Sequence, residues 1–231
     1  EALKAGIKPV IGCEVYVAAR SRFDMTHNTD SNRNHLVLLC KNETGYKNLC
    51  LLVSKSYTEG FYIKPRVDME LLYAHHEGLI ALSACLAGEV PQCLLRDDYE
   101  SAKAKALEMR DLFGADSFYL ELQDHGIREQ QAVNKGLVKL SGETGIPLVV
   151  TNDVHYISKK DAAAQDILLC IQTGKTVGDS DRMRFETEEF YLKSEDEMRA
   201  LFPEIAEAYD NTVRIADMCN LTFEFNKYHL P

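Results

Sequence analysis

The sequence predicts an α/β fold: a largely parallel sheet covered by helices, either open and doubly wound or closed into a barrel. Three observations lead there. Short apolar runs alternate with amphipathic helical stretches along the chain. The runs are continuously apolar, as expected of strands covered on both faces. Neither GxGxxG nor GxxxxGK followed by Ser or Thr occurs, so the usual nucleotide fingerprints of the open form are missing and a barrel is preferred.

The elements follow in order. Glu1-Ala-Leu-Lys-Ala-Gly6 reads as the last turn of a helix with Gly6 as its left-handed cap, so the chain is expected to be a segment of something longer. A strand is predicted at 9–17. The polar, aperiodic stretch 19–34 should be a long, mobile, solvent-exposed loop. A strand at 35–40 leads into a helix on which Tyr46, Leu49, Cys50 and Val53 share one face. Residues 61–66 read as a loop, and a short helix ends near His75 and His76. Then come a strand at 78–84, a helix at 99–113, a strand at 118–122, a helix at 127–143 closed by Gly145, and a strand at 147–151. A helix at 158–172 closed by Gly174, helices at 194–202 and 204–219, and a strand at 221–225 complete the pattern.

Composition bounds the function. With 45% hydrophobic residues the chain buries a real core, and a formal charge of −10 argues against binding phosphates through bulk electrostatics, so any nucleic-acid contact must be local. No apolar run approaches the ~20 residues that span a bilayer. The seven cysteines form no CxxC pair, which fits a reduced, cytoplasmic compartment.

Ligand sites in such folds form where strands end. The residues leaving the apolar runs are Glu14, Cys85, Gln123, Asp124, His125, Asn152, Asp153 and His155. In extended chain Asp153 and His155 point to one face, and with Glu and Cys they suit Zn²⁺, or Mn²⁺ or Fe where carboxylates and imidazoles dominate. Spacing alone favours a plainer reading: a turn aspartate, a half-exposed ring, a core thiol and a solvated glutamate. His35 opens its strand, so it joins this rim only if the chain direction differs from the parallel pattern. Lys64 and Arg66, set among Phe61, Tyr62 and Pro65, could contact a phosphate backbone or be solvated cations of a Pro-fixed loop. Asp181-Arg-Met-Arg184 carries the same ambiguity, and His27 and His229 have no evident partner.

Seven strings occur together in order: Gly12-Cys-Glu-Val-Tyr-Val17, His35-Leu-Val-Leu-Leu-Cys-Lys-Asn42, Gly60-Phe-Tyr-Ile-Lys-Pro-Arg66, Leu82-Ser-Ala-Cys-Leu-Ala-Gly-Glu89, Leu120-Glu-Leu-Gln-Asp-His-Gly126, Thr151-Asn-Asp-Val-His-Tyr156 and Arg184-Phe-Glu-Thr-Glu-Glu-Phe-Tyr191. On them the chain, residues 1–231, resembles the polymerase-and-histidinol-phosphatase (PHP) domain that opens bacterial replicative DNA polymerase III alpha subunits. The resemblance implies a distorted β/α barrel of the PHP type, its first strands missing from this chain, with up to three divalent ions at its mouth. It implies Glu14, His35, Cys85, Asp153 and His155 as metal ligands, with Asp153 and His155 catalytic. The family's HxH motif and a later Asp and His would precede Glu1, so this chain alone is expected to hold at most one or two ions and to be inactive. The implied activity is a 3′-5′ proofreading exonuclease within a nucleotidyltransferase, with primer-template DNA and other holoenzyme subunits as partners. A non-catalytic scaffold and a free-standing PHP phosphoesterase are the alternatives.

Overall fold

The structure, a computed structural model, describes residues 1–225. Its strands are β1 (Gly12–Ala18), β2 (Arg33–Cys40), β3 (Arg66–Val67), β4 (Leu79–Leu82), β5 (Phe118–Leu122) and β6 (Leu148–Val150). They form one mixed sheet in the order β3-β1-β2-β4-β5-β6. The pairs β1–β3, β4–β5 and β5–β6 are parallel, whereas β2 runs antiparallel to both β1 and β4. The expected parallel sheet therefore carries one reversed strand. The cause lies in the connection: a parallel neighbour needs a crossover, usually helical, and the chain between β1 and β2 contains no helix.

Eight α-helices lie among the described residues: α1 (Glu43–Thr58), α2 (Met69–His75), α3 (Glu89–Leu95), α4 (Tyr99–Phe113), α5 (Arg128–Thr144), α6 (Ala162–Thr173), α7 (Glu195–Leu201) and α8 (Ala206–Met218). Capping fixes several of their ends. Asn42, Asp68 and Asp98 accept N-terminal amides of α1, α2 and α4, Ser194 and Glu197 form a capping box on α7, and Gly145 and Gly174 close α5 and α6 in the left-handed conformation.

The continuous apolarity of the strands has a direct cause. On one face of β4–β6, Leu79, Ala81, Phe118, Leu120, Leu148 and Val150 pack with side chains of α4 and α5. On the other, Ile80, Leu82, Tyr119 and Val149 meet Ile215 of α8 and Cys219. Strand residues alternate between two buried faces, so both must be apolar.

Three expectations change. Residues 221–225 are not a strand; instead the Phe223 ring packs edge-on against Tyr46 at 5.0 Å. β3 and α3 were not foreseen, β3 because two residues show no period and α3 because Pro91 masks it. Pro91 is tolerated in the first turn, where its missing N–H has no partner inside the helix.

The third change concerns residues 19–32. They are irregular and mostly exposed, as expected, but they are anchored through Arg22, Asp30 and Arg66. Arg66 has no exposed surface. Its Nε donates to Gly60 O (3.1 Å), Nη1 to Asp30 O (2.9 Å), and Nη2 to Arg22 O (3.0 Å) and Asp24 O (2.9 Å). Arg22, also buried, reaches Glu59 (2.8 Å) and Asp68 (3.0 Å), and Arg20 holds buried Asp30 through two hydrogen bonds. The Arg20 guanidinium, helped by the Thr26 amide, pulls the Asp30 carboxyl down to about 2. A Cβ on Gly60 would meet Arg66 O at 2.0 Å, so this packing requires glycine. Arg66 is thus a structural guanidinium with no surface to offer a nucleic acid, and of the two expected phosphate contacts only Lys64 is exposed. His229 lies outside the described residues.

Candidate metal centre

The reversal of β2 brings His35 to the expected rim. Because β2 runs against β1, its third residue faces the C-terminal end of β1, with His35 opposite Tyr16 and Val37 opposite Glu14. The His35 amide donates to Ala87 O (2.9 Å), which ties the start of β2 to the turn holding Cys85. His35 Nδ1 lies 3.0 Å from Glu14 Oε1 and 3.6 Å from Cys85 Sγ. Hydrogen bonding with Cys85 first, and then with Glu14, pushes the imidazole up to about 10. The same His35 contact lowers the Glu14 carboxyl, and the more distant charge of His155 adds to that effect. His35 as imidazolium supplies the positive charge of this cluster.

Asp153 and His155 form a second pair beyond β6. Asp153 adopts a left-handed backbone (φ 43°), one of the few such conformations that an aspartate tolerates. The turn is held from both sides. Buried Asn152 donates to Glu189 O and Tyr191 O, and the His155 amide donates to Phe190 O (2.8 Å). His155 Nδ1 approaches Asp153 O at 2.6 Å and its carboxylate at 3.9 Å, with Phe185 edge-on at 4.7 Å. A ring that donates from Nδ1 to a carbonyl carries its lone pair on Nε2, the arrangement found in metal-ligating histidines.

The donor set of two carboxylates, two imidazoles and a thiol fits a divalent ion in its chemistry. Cys85, Asp153 and His155 do not share one coordinating point as expected: among the described residues no group of three or more His, Cys, Asp or Glu side chains has the geometry to hold an ion. The close contacts are pairwise instead: His35 with Glu14 and Cys85, and His155 with Asp153.

His125, expected on the rim, is instead fully buried. It stacks on Phe190 at 3.9 Å and bonds Asn152 O and Gln130, and burial lowers its pKa. Gln123 is buried as well. Sequence reading missed Glu121, whose Oε1 accepts from Thr151 and Gln123 while Oε2 is shielded and without a partner. Burial raises its carboxyl. The available signal was a glutamate inside the apolar strand Phe118–Leu122.

Together these features define an α/β domain that gathers carboxylate, imidazole and thiol donors at one sheet rim. The PHP domain family matches residues 1–125, and the chain belongs to it. Nearly the whole chain also aligns with proteins called DNA polymerase III subunit alpha. It is 54% identical to that of Treponema pallidum over 94% of the chain and 51% identical to that of Borreliella burgdorferi over 95%. It is 48% identical to that of Thermus aquaticus over 96%. The chain spans only 18–19% of the length of these relatives.

Proposed function

We propose that this chain is the PHP module of a bacterial DNA polymerase III alpha subunit and serves there as a metal-dependent 3′-5′ proofreading exonuclease. One observation carries the reading: in a chain aligned almost end to end with alpha subunits, Glu14, His35 and Cys85 cluster on the rim that Asp153 and His155 approach. On this reading the PHP domain extends over 1–231, and its sheet belongs to a distorted β/α barrel. The parent subunit is a cytoplasmic nucleotidyltransferase whose partners are primer-template DNA and other holoenzyme subunits.

Glu14, His35, Cys85, Asp153 and His155 would hold the ion, Zn²⁺ by donor type or Mn²⁺ or Fe, with up to three ions in an intact domain. The chemistry such an ion would supply is positive charge at the scissile phosphodiester and a water usable as a nucleophile near neutral pH. The protein's own contribution is positional. The Asp153 turn, clamped by Asn152, fixes where its carboxylate stands. His155, held at Nδ1, would present Nε2 to the ion. His35 stands 3.0 Å from Glu14, and its imidazole would give up its proton to take a cation.

The test is a primer-template with a mispaired 3′ end, incubated with a full-length alpha subunit carrying this region. Asp153→Asn should lower excision at least about 100-fold and leave nucleotide incorporation intact. Undiminished excision by that variant would overturn the reading.

A further inference from the structure

Asn152 clamps the turn that carries Asp153 and His155, and a lysine in turn holds Asn152. The Lys193 side chain is only 3% exposed. Its ammonium donates to Asn152 Oδ1 (3.3 Å) and to Glu189 O, lies 3.2 Å from Glu189 Oε2, and stands 4.3 Å from the centre of the Tyr191 ring. No other donor reaches Asn152 Oδ1 among the described residues. An asparagine amide has a donor end and an acceptor end of nearly equal size, so its surroundings decide which way it faces. Here Nδ2 meets two carbonyls, Glu189 O (3.1 Å) and Tyr191 O (2.6 Å), while Oδ1 meets the ammonium. The reverse orientation would set an oxygen against two carbonyls and an amino group against an ammonium. Lys193 thereby locks the orientation in which Asn152 binds residues 189–191.

The main chain of Asn152 is gripped as well. Gln130 Nε2 donates to His125 Nδ1 (2.7 Å), which leaves the ring proton on Nε2 to reach Asn152 O (2.9 Å). Stability alone does not call for a lysine at 193. A shielded ammonium loses its hydration, and an apolar side chain of similar length would fill the space without that loss. Glu189 does not depend on it either, because Lys159 Nζ binds its other carboxylate oxygen at 2.5 Å. What Lys193 adds is direction. Through Asn152 it joins the chain before Asp153 to residues 189–191, and the His155 amide closes the other side on Phe190 O (2.8 Å).

We propose that Lys193 is a positioning residue for the Asp153–His155 pair, acting through the Asn152 amide, so that residues 189–193 set the geometry of this half of the candidate metal centre. What that geometry serves rests on the function proposed above; the linkage itself needs neither metal nor DNA. Without the ammonium, Asn152 Oδ1 loses its donor and the amide is free to turn. Its hold on Glu189 O and Tyr191 O then fails, and the bond from the His155 amide to Phe190 O loosens with it.

The test is amide hydrogen exchange of the chain, resolved by NMR, in metal-free buffer containing a chelator. Lys193→Met, which keeps the length of the side chain and removes its donors, should speed exchange of the His155 amide at least about tenfold while the amides of β4 and β5 exchange as in the wild type. Asn152→Asp keeps the acceptor that faces Lys193 but sets an oxygen against two carbonyls, and should speed it as much. In an Asn152→Ala background Lys193→Met should add less than about twofold, the mark of a residue that acts through Asn152. In the full-length alpha subunit, Lys193→Met should lower kcat for excision of a mispaired 3′ end about ten- to a hundredfold and leave KM unchanged. Unchanged His155 exchange in Lys193→Met, faster exchange throughout the chain, additive effects in the double variant, or undiminished excision by Lys193→Met would overturn the inference. Excision missing from the wild-type subunit would overturn the exonuclease reading instead, and the linkage would stand or fall on exchange alone.

Discussion

Two irregular segments leave the same side of the sheet and use charge in opposite ways. Residues 19–32, after β1, are held by charges that have all found partners: Arg66 on four carbonyls, Arg22 on Glu59 and Asp68, and Arg20 on Asp30. The Asp153–His155 turn, after β6, is held chiefly through Asn152 and the His155 amide, and the Asp153 carboxylate and His155 ring stay about one-third exposed. Charge that is buried and fully paired builds the fold. Charge that is positioned by other groups remains available for chemistry.

The comparison is broken most severely at Arg66. Arg66→Met should destabilise the chain by about 3–5 kcal/mol, since it strands four carbonyls that accept from no other donor among the described residues. Arg66→Lys should recover only part, because a single ammonium cannot span the fork of a guanidinium. Urea unfolding midpoints check both, and a change of less than about 1 kcal/mol for Arg66→Met would contradict the anchoring role.

Acid supplies a milder perturbation of the same segment. Asp30 has a carboxyl pulled down to about 2, below its ordinary value, so the folded state binds its proton later than the unfolded state does. Its contribution is fully present above about pH 4 and fades as pH falls through about 2. Limited proteolysis across this range should show cleavage in residues 19–32 rising toward pH 2. Asp30→Asn should show the raised cleavage already at neutral pH.

The smallest expected stability effect is at Asp153. Asn tolerates the same left-handed backbone at least as well as Asp, so Asp153→Asn should shift unfolding by no more than about 0.5 kcal/mol. A large loss there would make Asp153 a structural residue like Asp30 and erase the contrast between the two segments.

These residues also show what the sequence makes legible. Tyr99–Phe113 and Phe118–Leu122 match their expected bounds because local signals agree: Asp98 caps the helix, its apolar face is periodic, and both faces of the strand are apolar. The site was legible as a set of donor types, but not in its grouping. His35 joins Glu14 only because β2 is reversed, and strand direction depends on partners distant in sequence. Arg66 was misread because its partners are mostly backbone carbonyls, which leave no mark in a sequence. Its neighbours Phe61, Tyr62 and Lys64 suggested a surface. His125 was misread because its acceptor is also a carbonyl, that of Asn152. Glu121 escaped notice because its partners, Thr151 and Gln123, look like ordinary residues at strand ends.

The central claim is that Glu14, His35, Cys85, Asp153 and His155 form one cation-binding rim. It is tested most directly by equilibrium Zn²⁺ binding to the chain, read together with the alkylation rate of Cys85 followed by peptide mass spectrometry. The account predicts one or two ions per chain, Cys85 alkylation slowed at least about tenfold by Zn²⁺, and both effects weakened at least about tenfold in Asp153→Asn. Equal Zn²⁺ content in wild type and variant, or a Cys85 thiol that reacts at the same rate with and without metal, would contradict it.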